Sequence, residues 1–177
     1  MIGKLVSGLV VACLAVGIAG TAVAGWDPAN EQRARDTIEA FKKTDPGIDT
    51  FFKEADGYAV FPEITKGAIG IGGAGGDGTV FESGAAIGSS SMSQVTIGLQ
   101  LGGETYSEII FFKDKAALDN FKRGNYEFAA AASAIAIKEG ASKTAGYDNG
   151  VAIFTMGTGG LMFEASVGGQ KFSYEPK

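Results

Sequence analysis

A glycine-rich segment in the first half of the chain, TKGAIGIGGAGGDGTVFE, restricts the possible fold more than any other feature. Every second residue in it is no larger than alanine: Ala68, Gly70, Gly72, Ala74, Gly76 and Gly78. Ile69 and Ile71 lie on the opposite face of the same predicted strand. Because glycine weakens a strand unless another group approaches its backbone closely, the pattern predicts tight packing against a neighbouring strand or helix where the sheet curves sharply. A shallow apolar groove for a lipid chain is the alternative.

The same segment contains the G-x-G-x-x-G spacing of dinucleotide-binding loops, at Gly70, Gly72 and Gly75. Such a loop requires a helix directly after the glycines, so that the pyrophosphate meets the helix N-terminus. Here Asp77–Phe81 continues with turn and strand residues, and the Gly-Lys-Ser/Thr ending of a phosphate-binding P-loop is also missing. The sequence therefore predicts no nucleotide, flavin or nicotinamide cofactor.

The rest of the chain predicts an α+β fold, with a mostly antiparallel, strongly curved glycine-rich sheet or small barrel and flanking helices. The predicted regions are helical 27–56, β-rich 58–112, helical 114–123 and β-rich 126–175. Asp27 and Asp114 are the expected caps of the first and last helix, since an aspartate side chain can accept from the free backbone N–H groups there. The first helix carries Ala34, Ile38 and Phe41 on one face.

Finer predictions concern the individual strands. The apolar residues Val95, Ile97, Leu99 and Leu101 alternate with polar residues or glycine. This alternation predicts a half-buried strand with the apolar side chains inward. Gly102-Gly103 is expected to form a turn, and Gly168-Gly169 a hairpin connection. Residues 126–138 fit either a strand or a helix, because their alternation suits a strand while their alanine content suits a helix; we prefer the strand.

The first 24 residues have the pattern of a secretory signal peptide, with Lys4, an apolar stretch and the small-x-small site Ala22-Val23-Ala24. Cleavage after Ala24 leaves residues 25–177 as one domain. Two alternatives are a lipoprotein signal that ends at Cys13 and an uncleaved membrane anchor. All three interpretations export the domain from the cytoplasm, to the periplasm or the exterior, with membrane association as a further option.

The residue types that are absent exclude several classes of function. The chain contains no His, and its one Cys, Cys13, lies in the predicted signal peptide. Ser-His-Asp and Cys-His catalysis, thiolate or imidazole zinc sites and disulfides are therefore excluded from the mature chain. The carboxylates show no spacing that defines a catalytic pair, although Glu104 and Glu108 share one face of a strand. We expect neither an enzyme nor a metal site.

The net charge of the chain limits the classes of partner that it can bind. Loss of Lys4 with the signal peptide, which contains no acidic residue, takes the net charge from −5 to −6. An acidic surface disfavours nucleic acid, whose phosphates require a positive footprint. A local basic patch still permits contact with an anionic membrane, since charges act within a Debye length.

Four segments resemble, in order along the chain, the SYLF-domain family: GYAVFPEITKGAIGIGGAGGDGTVFE, GAAIGSSSMSQVTIGLQLGGETYSEIIFF, ALDNF and GGLMFEASVGGQKF. The similarity runs over residues 55–175 and is most specific at the glycine-rich stretch, with Pro62 and Lys66-Gly67 before it. That family is described as lipid-binding, and its eukaryotic members also regulate actin assembly. The resemblance implies a β-rich, barrel-like domain with helices that binds anionic phospholipid without catalysis.

The candidate lipid-binding residues are cations beside the apolar face of the first helix and positions in the glycine-rich segment: Arg33, Arg35, Lys42, Lys43, Lys66, Gly70 and Gly72. Long cations at the margins of an apolar helix face can extend to headgroups while that face inserts. An ordinary amphipathic helix packed on the domain is the alternative. The sequence thus predicts a lipid- or membrane-surface-binding module, or alternatively a structural or protein-interaction module of the cell envelope without a lipid ligand.

Overall fold

The structure, a computed structural model, describes residues 26–69, 71–97, 102–157 and 165–177. The predicted signal peptide and Gly70 lie outside these ranges. The α-helices found within them are α1 (Pro28–Thr44), α2 (Asp49–Glu54) and α3 (Lys115–Phe121), with short 3-10 turns at Pro46–Ile48 and Ala141–Lys143. The strands are β1 (Gly57–Ile69), β2 (Ile71–Glu82), β3 (Ala85–Ile97), β4 (Gly102–Phe112), β5 (Tyr126–Glu127), β6 (Ser133–Ala136), β7 (Val151–Gly157), β8 (Ala165–Ser166), β9 (Lys171–Phe172) and β10 (Glu175–Pro176).

The strands form one strongly curled sheet, a half-barrel, in the order β5-β9-β3-β2-β1-β4-β7-β6-β8, with β10 also paired to β3. The recorded pairings are antiparallel except that β6 runs parallel to β7. The predicted α+β class with a mostly antiparallel, strongly curved sheet is confirmed. None of the helices in the described ranges has the length and apolar composition that a bilayer crossing requires.

Two apolar clusters cover the two faces of the sheet. The first includes Phe61, Ile110 and Phe172 together with α3 residues, and we call its side the inner face. The second includes Val60 and Phe111 together with the apolar residues of α1 and α2, and we call its side the outer face. Alternate residues of one strand therefore contribute to different cores, which is what the two-residue period of a strand requires.

The helix ends follow the local sequence. Asp27 caps α1 by accepting a hydrogen bond from the backbone N–H of Ala29 at 2.9 Å, and Pro28 stands at the first helical position. Asp114 caps α3 in the same way through the N–H of Ala117 at 2.9 Å. The apolar stripe of α1 is buried against the outer face of the sheet, as the spacing predicts.

The glycine-rich segment is two strands of a hairpin, and the prediction of one strand through it is wrong. β1 ends at Ile69, β2 begins at Ile71, and these two residues are partners across the ladder, as are Ala68 and Gly72. Residues that pair across a hairpin share a face, so the alternation of small and larger residues continues through the reversal. Periodicity alone therefore cannot locate the turn.

The predicted close approach is found at two glycines of β2, and its cause is a bulge in β1. β1 carries one extra residue between Val60 and Thr65, since these pair with Thr79 and Gly75 respectively. A Cβ atom on Gly76 would collide with the carbonyl oxygen of Glu63 within that bulge. A Cβ on Gly78 would lie 2.6 Å from the carbonyl oxygen of Val60. Glycine is thus required at the positions of β2 that the bulged backbone of β1 approaches closely.

Two predictions for β3 and β4 are corrected. Gln94 is buried and Val95 is 77% exposed, which is the reverse of the predicted orientation. The buried amide is tolerated because its Nε2 donates to the carbonyl oxygen of Gly168 at 2.9 Å. Gly102-Gly103 begins β4 instead of forming a turn. Leu99 and Leu101 lie outside the described residues.

The C-terminal part also differs in detail. The strands on either side of Gly168-Gly169 do not form a hairpin, because β8 pairs with β6 while β9 pairs with β3 and β5. Residues 126–138 contain no helix; they contribute β5 and β6 with a non-strand connection between them. The preference for strand is therefore confirmed for residues 126–127 and 133–136 and not for the rest of that segment.

Candidate functional site

Two of the candidate cations on α1 are paired and packed. The guanidinium of Arg35 donates to Glu31 Oε1 at 2.7 Å and lies 5.2 Å from the centre of the Phe81 ring. The ammonium of Lys42 lies 3.2 Å from Asp49 Oδ1 and 4.8 Å from the centre of the Phe52 ring. Each of these charges has a nearby carboxylate, and each side chain covers an aromatic ring.

The other two candidate cations on α1 are more open. Arg33 Nη2 donates to Asn30 Oδ1 at 3.2 Å, and the side chain is 61% exposed. Its nearest recorded carboxylate, Asp27, is 3.9 Å away. Lys43 is exposed, and no ion pair to it is found in the described part of the chain. Arg33 and Lys43 lie ten positions apart on α1 and do not form one patch.

The apolar stripe beside these cations is not available to a membrane in this structure. Ile38 is 7% exposed and Phe41 is fully buried, both in the outer-face cluster with Val60 and Phe111. Insertion of this stripe would require α1 to detach from the sheet. The arrangement is that of a helix packed on the domain, which was the alternative interpretation of the sequence. Whether the cations bind a lipid stays a prediction.

A groove of about 580 Å³ runs between α1, the bulge of β1 and the facing part of β2. Its charged lining residues are Arg33, Asp36, Glu63 and Asp77. Three carboxylates against one guanidinium make the groove acidic, which disfavours a phosphate headgroup beside Arg33. Across the described ranges, no group of three or more acidic side chains is placed to hold a metal ion.

The neighbouring ends of β1, β2 and β3 form a second region, which we call the hairpin end and define as residues 65–69, 71–75 and 93–97. Its exposed residues are Thr65, Gly67, Gly73, Gly75, Ser93 and Val95. On its outer face lies Val95, the one large hydrophobic residue recorded as exposed among those that the structure describes. Its ladder partner is Gly73, which is exposed like Gly67 and Gly75. A Cβ on Gly67 would meet nothing within 4 Å.

The register also pairs three isoleucine positions of the hairpin end with one another. Ile69 pairs with Ile71, and Ile71 pairs with Ile97, so the three are adjacent across the ladder. The sequence analysis placed Ile69 and Ile71 opposite the small residues of this segment, but it did not predict their pairing with each other and with Ile97, which only the strand register shows.

The remaining candidates of the glycine-rich segment belong to the other face of the hairpin end. Gly72 is buried and pairs with Ala68 and Thr96. Lys66 is half-buried and lies between Ala74 and Glu104 in the ladder. Gly70 lies outside the described residues. The six candidates that the structure describes are therefore spread over α1 and the hairpin end and are not brought together at one site.

A buried polar cluster on the inner face was missed by the sequence analysis. Glu108 is fully buried and accepts a hydrogen bond from Gln170 Nε2 at 3.1 Å. The same nitrogen lies 3.2 Å from the hydroxyl of Tyr106. Burial raises the pKa of Glu108 to about 8. Glu104 is exposed, so these two carboxylates do not flank an open site, and no signal in the sequence distinguishes them.

Comparison with known proteins gives one partial similarity. The chain is 38% identical over 72 residues to Beta cell expansion factor A of Aeromonas veronii. The matched part covers 41% of this chain and 28% of that protein. No family model matches the chain.

Proposed function

We propose that this chain is a non-catalytic module that binds lipid at a membrane surface, and that the outer face of the hairpin end makes the contact. The observation that carries the proposal is the exposure of Val95, 77%, on a face where the neighbouring ladder position is an exposed glycine. Isolated exposed apolar residues are common on protein surfaces. An exposed valine in a ladder whose neighbouring positions are the exposed glycines Gly73 and Gly67 is a more specific feature.

The energetics favour a weak, reversible contact. Full burial of one valine or isoleucine side chain contributes about 1.5–3 kcal/mol. Stable membrane anchoring requires two signals, such as apolar insertion together with a basic patch. Of the candidate cations, Arg33 lines the acidic groove that also includes Gly75, and Lys66 lies in the hairpin end but on its inner face, so we expect both to contribute weakly. A basic residue near an anionic leaflet adds about 1 kcal/mol.

The finer parts of the proposal rest on similarity and on the sequence. The resemblance to the lipid-binding SYLF-domain family supports a phospholipid ligand. The charge argument favours anionic phospholipid met by local cations. The N-terminal pattern supports an exported location, periplasmic or secreted. An interaction module that uses the same bare strand face against an envelope protein is the competing function.

The test is flotation of the purified protein with vesicles. We expect the wild type to float with vesicles of phosphatidylcholine and phosphatidylglycerol, and less with phosphatidylcholine alone. Val95→Ser should reduce flotation by about tenfold, since it removes roughly half of the apolar contribution of a buried valine. Val95→Leu is the matched control and should float at least as well as the wild type.

Both variants should melt at nearly the wild-type temperature, because position 95 is exposed. If the wild type floats with neither vesicle, the membrane proposal is wrong and the protein-interaction alternative takes its place. If Val95→Ser floats like the wild type, lipid binding stands but the hairpin end is not the contact.

A further inference from the structure

A smaller cavity, which we call the α2 cavity, lies at the opposite end of β1 from the hairpin end. Its volume is about 350 Å³, and small-molecule sites usually have volumes of roughly 300–1,000 Å³. One wall comes from Gly47 and from the α2 residues Thr50, Phe51 and Glu54, just before β1 begins. The other wall comes from residues 142–147. Two segments that are far apart in the chain therefore enclose the cavity.

The two walls of the α2 cavity are held together by the buried carboxylate of Asp45. Its Oδ2 accepts a hydrogen bond from the backbone N–H of Ser142 at 2.7 Å, and its Oδ1 accepts one from the N–H of Gly47 at 3.1 Å. A Cβ atom on Gly47 would collide with the Ser142 hydroxyl, so the walls touch at this point. The ring centres of Phe51 and Tyr147 are 5.4 Å apart. The cavity is therefore a preformed part of the fold, as ligand sites usually are.

Two hydroxyl groups that line the α2 cavity, Ser142 Oγ and Tyr147 Oη, are buried and have no hydrogen-bond partner among the described residues. Ser142 is only 8% exposed. Its hydroxyl hydrogen can turn toward Asp45, but the lone pairs of the oxygen then still need a donor. Burial, together with the negative charge of Glu54, raises the pKa of Tyr147 to about 12, so its phenol remains a donor at neutral pH. Since buried polar groups are usually hydrogen-bonded, both hydroxyls point to a polar ligand.

Two opposite charges line the same cavity without pairing. Glu54 and Lys143 are both exposed, and no ion pair to either is found in the described part of the chain. A purely anionic ligand would be repelled by Glu54, and a purely cationic ligand would be repelled by Lys143. A ligand that carries both charges satisfies both residues. Phe51 and Ala145 add apolar surface to the lining, which suits an apolar group on the same ligand.

We propose that the α2 cavity binds a small zwitterion with an apolar side chain, of the chemical class of the free apolar α-amino acids. The ligand carboxylate pairs with Lys143 and accepts a hydrogen bond from the Ser142 hydroxyl. The ligand ammonium group pairs with Glu54 beside the Tyr147 hydroxyl, and the apolar side chain packs on Phe51. Binding is weak and reversible, because ion pairs of exposed residues contribute little. The site is separate from the hairpin end, so it does not depend on the proposed membrane contact.

The test is an NMR titration of the isotopically labelled whole chain with L-valine, L-leucine, L-methionine and L-phenylalanine in turn. We expect at least one of them to shift the amide signals of residues 47–54 and 142–147 in a saturable way. Two analogues of the amino acid that binds most tightly are the matched probes. Its amide lacks the carboxylate, and the corresponding carboxylic acid without the amino group lacks the cation. Each should bind at least about threefold more weakly, because each loses one ion pair.

Variants of the cavity provide a second measurement. Tyr147→Phe keeps the ring beside Phe51 and removes the hydroxyl, so it should weaken binding about tenfold without lowering the melting temperature. Lys143→Gln should weaken binding about threefold. Lys138→Gln is the matched control and should leave binding unchanged, because it removes an exposed cation that does not line the cavity.

Each other outcome overturns the proposal. If none of the four amino acids gives saturable shifts, or if the shifts lie outside residues 47–54 and 142–147, the cavity is not a site for them. If the amide or the deaminated acid binds as tightly as the amino acid, the ligand need not be a zwitterion. Equally tight binding of glucose would make the cavity a site for neutral hydroxylated molecules. These comparisons need only the wild type, so they hold even if a variant fails to fold.

Discussion

The glycines of β2 fall into two groups that lie on opposite faces of the same strand and have different surroundings. Gly76 and Gly78 face the bulged backbone of β1, where any added Cβ atom meets a carbonyl oxygen. Gly73 and Gly75 are exposed, and the nearest atom to an added Cβ is a backbone oxygen at 3.5 Å, an ordinary contact distance. Packing requires glycine at Gly76 and Gly78. The glycines Gly73 and Gly75 instead leave the outer face of the strand without side chains, and such a face is available for a partner.

The largest effect expected from this difference is on stability. Gly76→Val should lower the free energy of unfolding by about 3 kcal/mol, the upper part of the usual range for overpacking, because its Cβ collides with the Glu63 carbonyl oxygen. Gly75→Val is the matched control one residue away and should change stability by no more than about 0.5 kcal/mol. Chemical denaturation of both variants measures the difference. Equal stability of the two would show that the bulge yields and that the glycines are interchangeable.

A smaller effect is expected on vesicle binding. Gly73→Val adds an apolar side chain beside Val95 on the bare face. If that face meets lipid, the new side chain should strengthen binding by about tenfold, roughly half of the contribution of a fully buried valine. Flotation across a range of lipid concentrations measures this change in affinity. Gly73→Ser is the control, because it adds a small polar side chain at the same position. Unchanged binding by Gly73→Val would place the lipid contact elsewhere.

The smallest effect concerns the cations. Replacing Arg33 and Lys66 by Gln should weaken binding to anionic vesicles by no more than about fivefold. Each charge contributes at most about 1 kcal/mol before screening by salt, and carboxylates near Arg33 and the inner-face position of Lys66 reduce that contribution. Replacing Arg35 and Lys42 by Gln should change binding by less than about twofold, because both charges are paired and pack on Phe81 and Phe52. Sedimentation at low and high salt compares the two double variants. A greater loss of binding from the Arg35 and Lys42 double variant would show that α1 contacts the membrane.

The candidate site could be predicted only in part from the sequence, for a physical reason that Val95 and Gln94 illustrate. Alternation states that these neighbours lie on opposite faces, but not which face is covered. Gln94 is buried because its amide reaches the Gly168 carbonyl oxygen, 74 positions away in the chain. Val95 is 77% exposed because none of the described residues packs over its end of the outer face. Hydropathy alone predicts that Val95 is buried and Gln94 is exposed.

Local interactions allowed the sequence by itself to determine the helices. The caps at Asp27 and Asp114 act within three residues, and the buried stripe of α1 follows from the helical period. The strongly curved, mostly antiparallel sheet was also expected from the glycine-punctuated alternation of the strands. The caps act between neighbouring residues, and the helical and strand periods are local, so the pattern of residues is sufficient to predict the element types although not what they pack against.

The tertiary structure decided everything that depends on which distant segments meet. The reversal between Ile69 and Ile71, the bulge that crowds Gly76 and the bare face around Val95 follow from strand register. The contrast between Glu104 and Glu108 is of the same kind, since one is exposed and the other is covered by Gln170 from 62 positions further along the chain. The burial of a side chain depends on how the layers of the fold pack together. The free-energy cost of burying the Glu108 carboxyl therefore depends on the C-terminal segment that packs over the sheet.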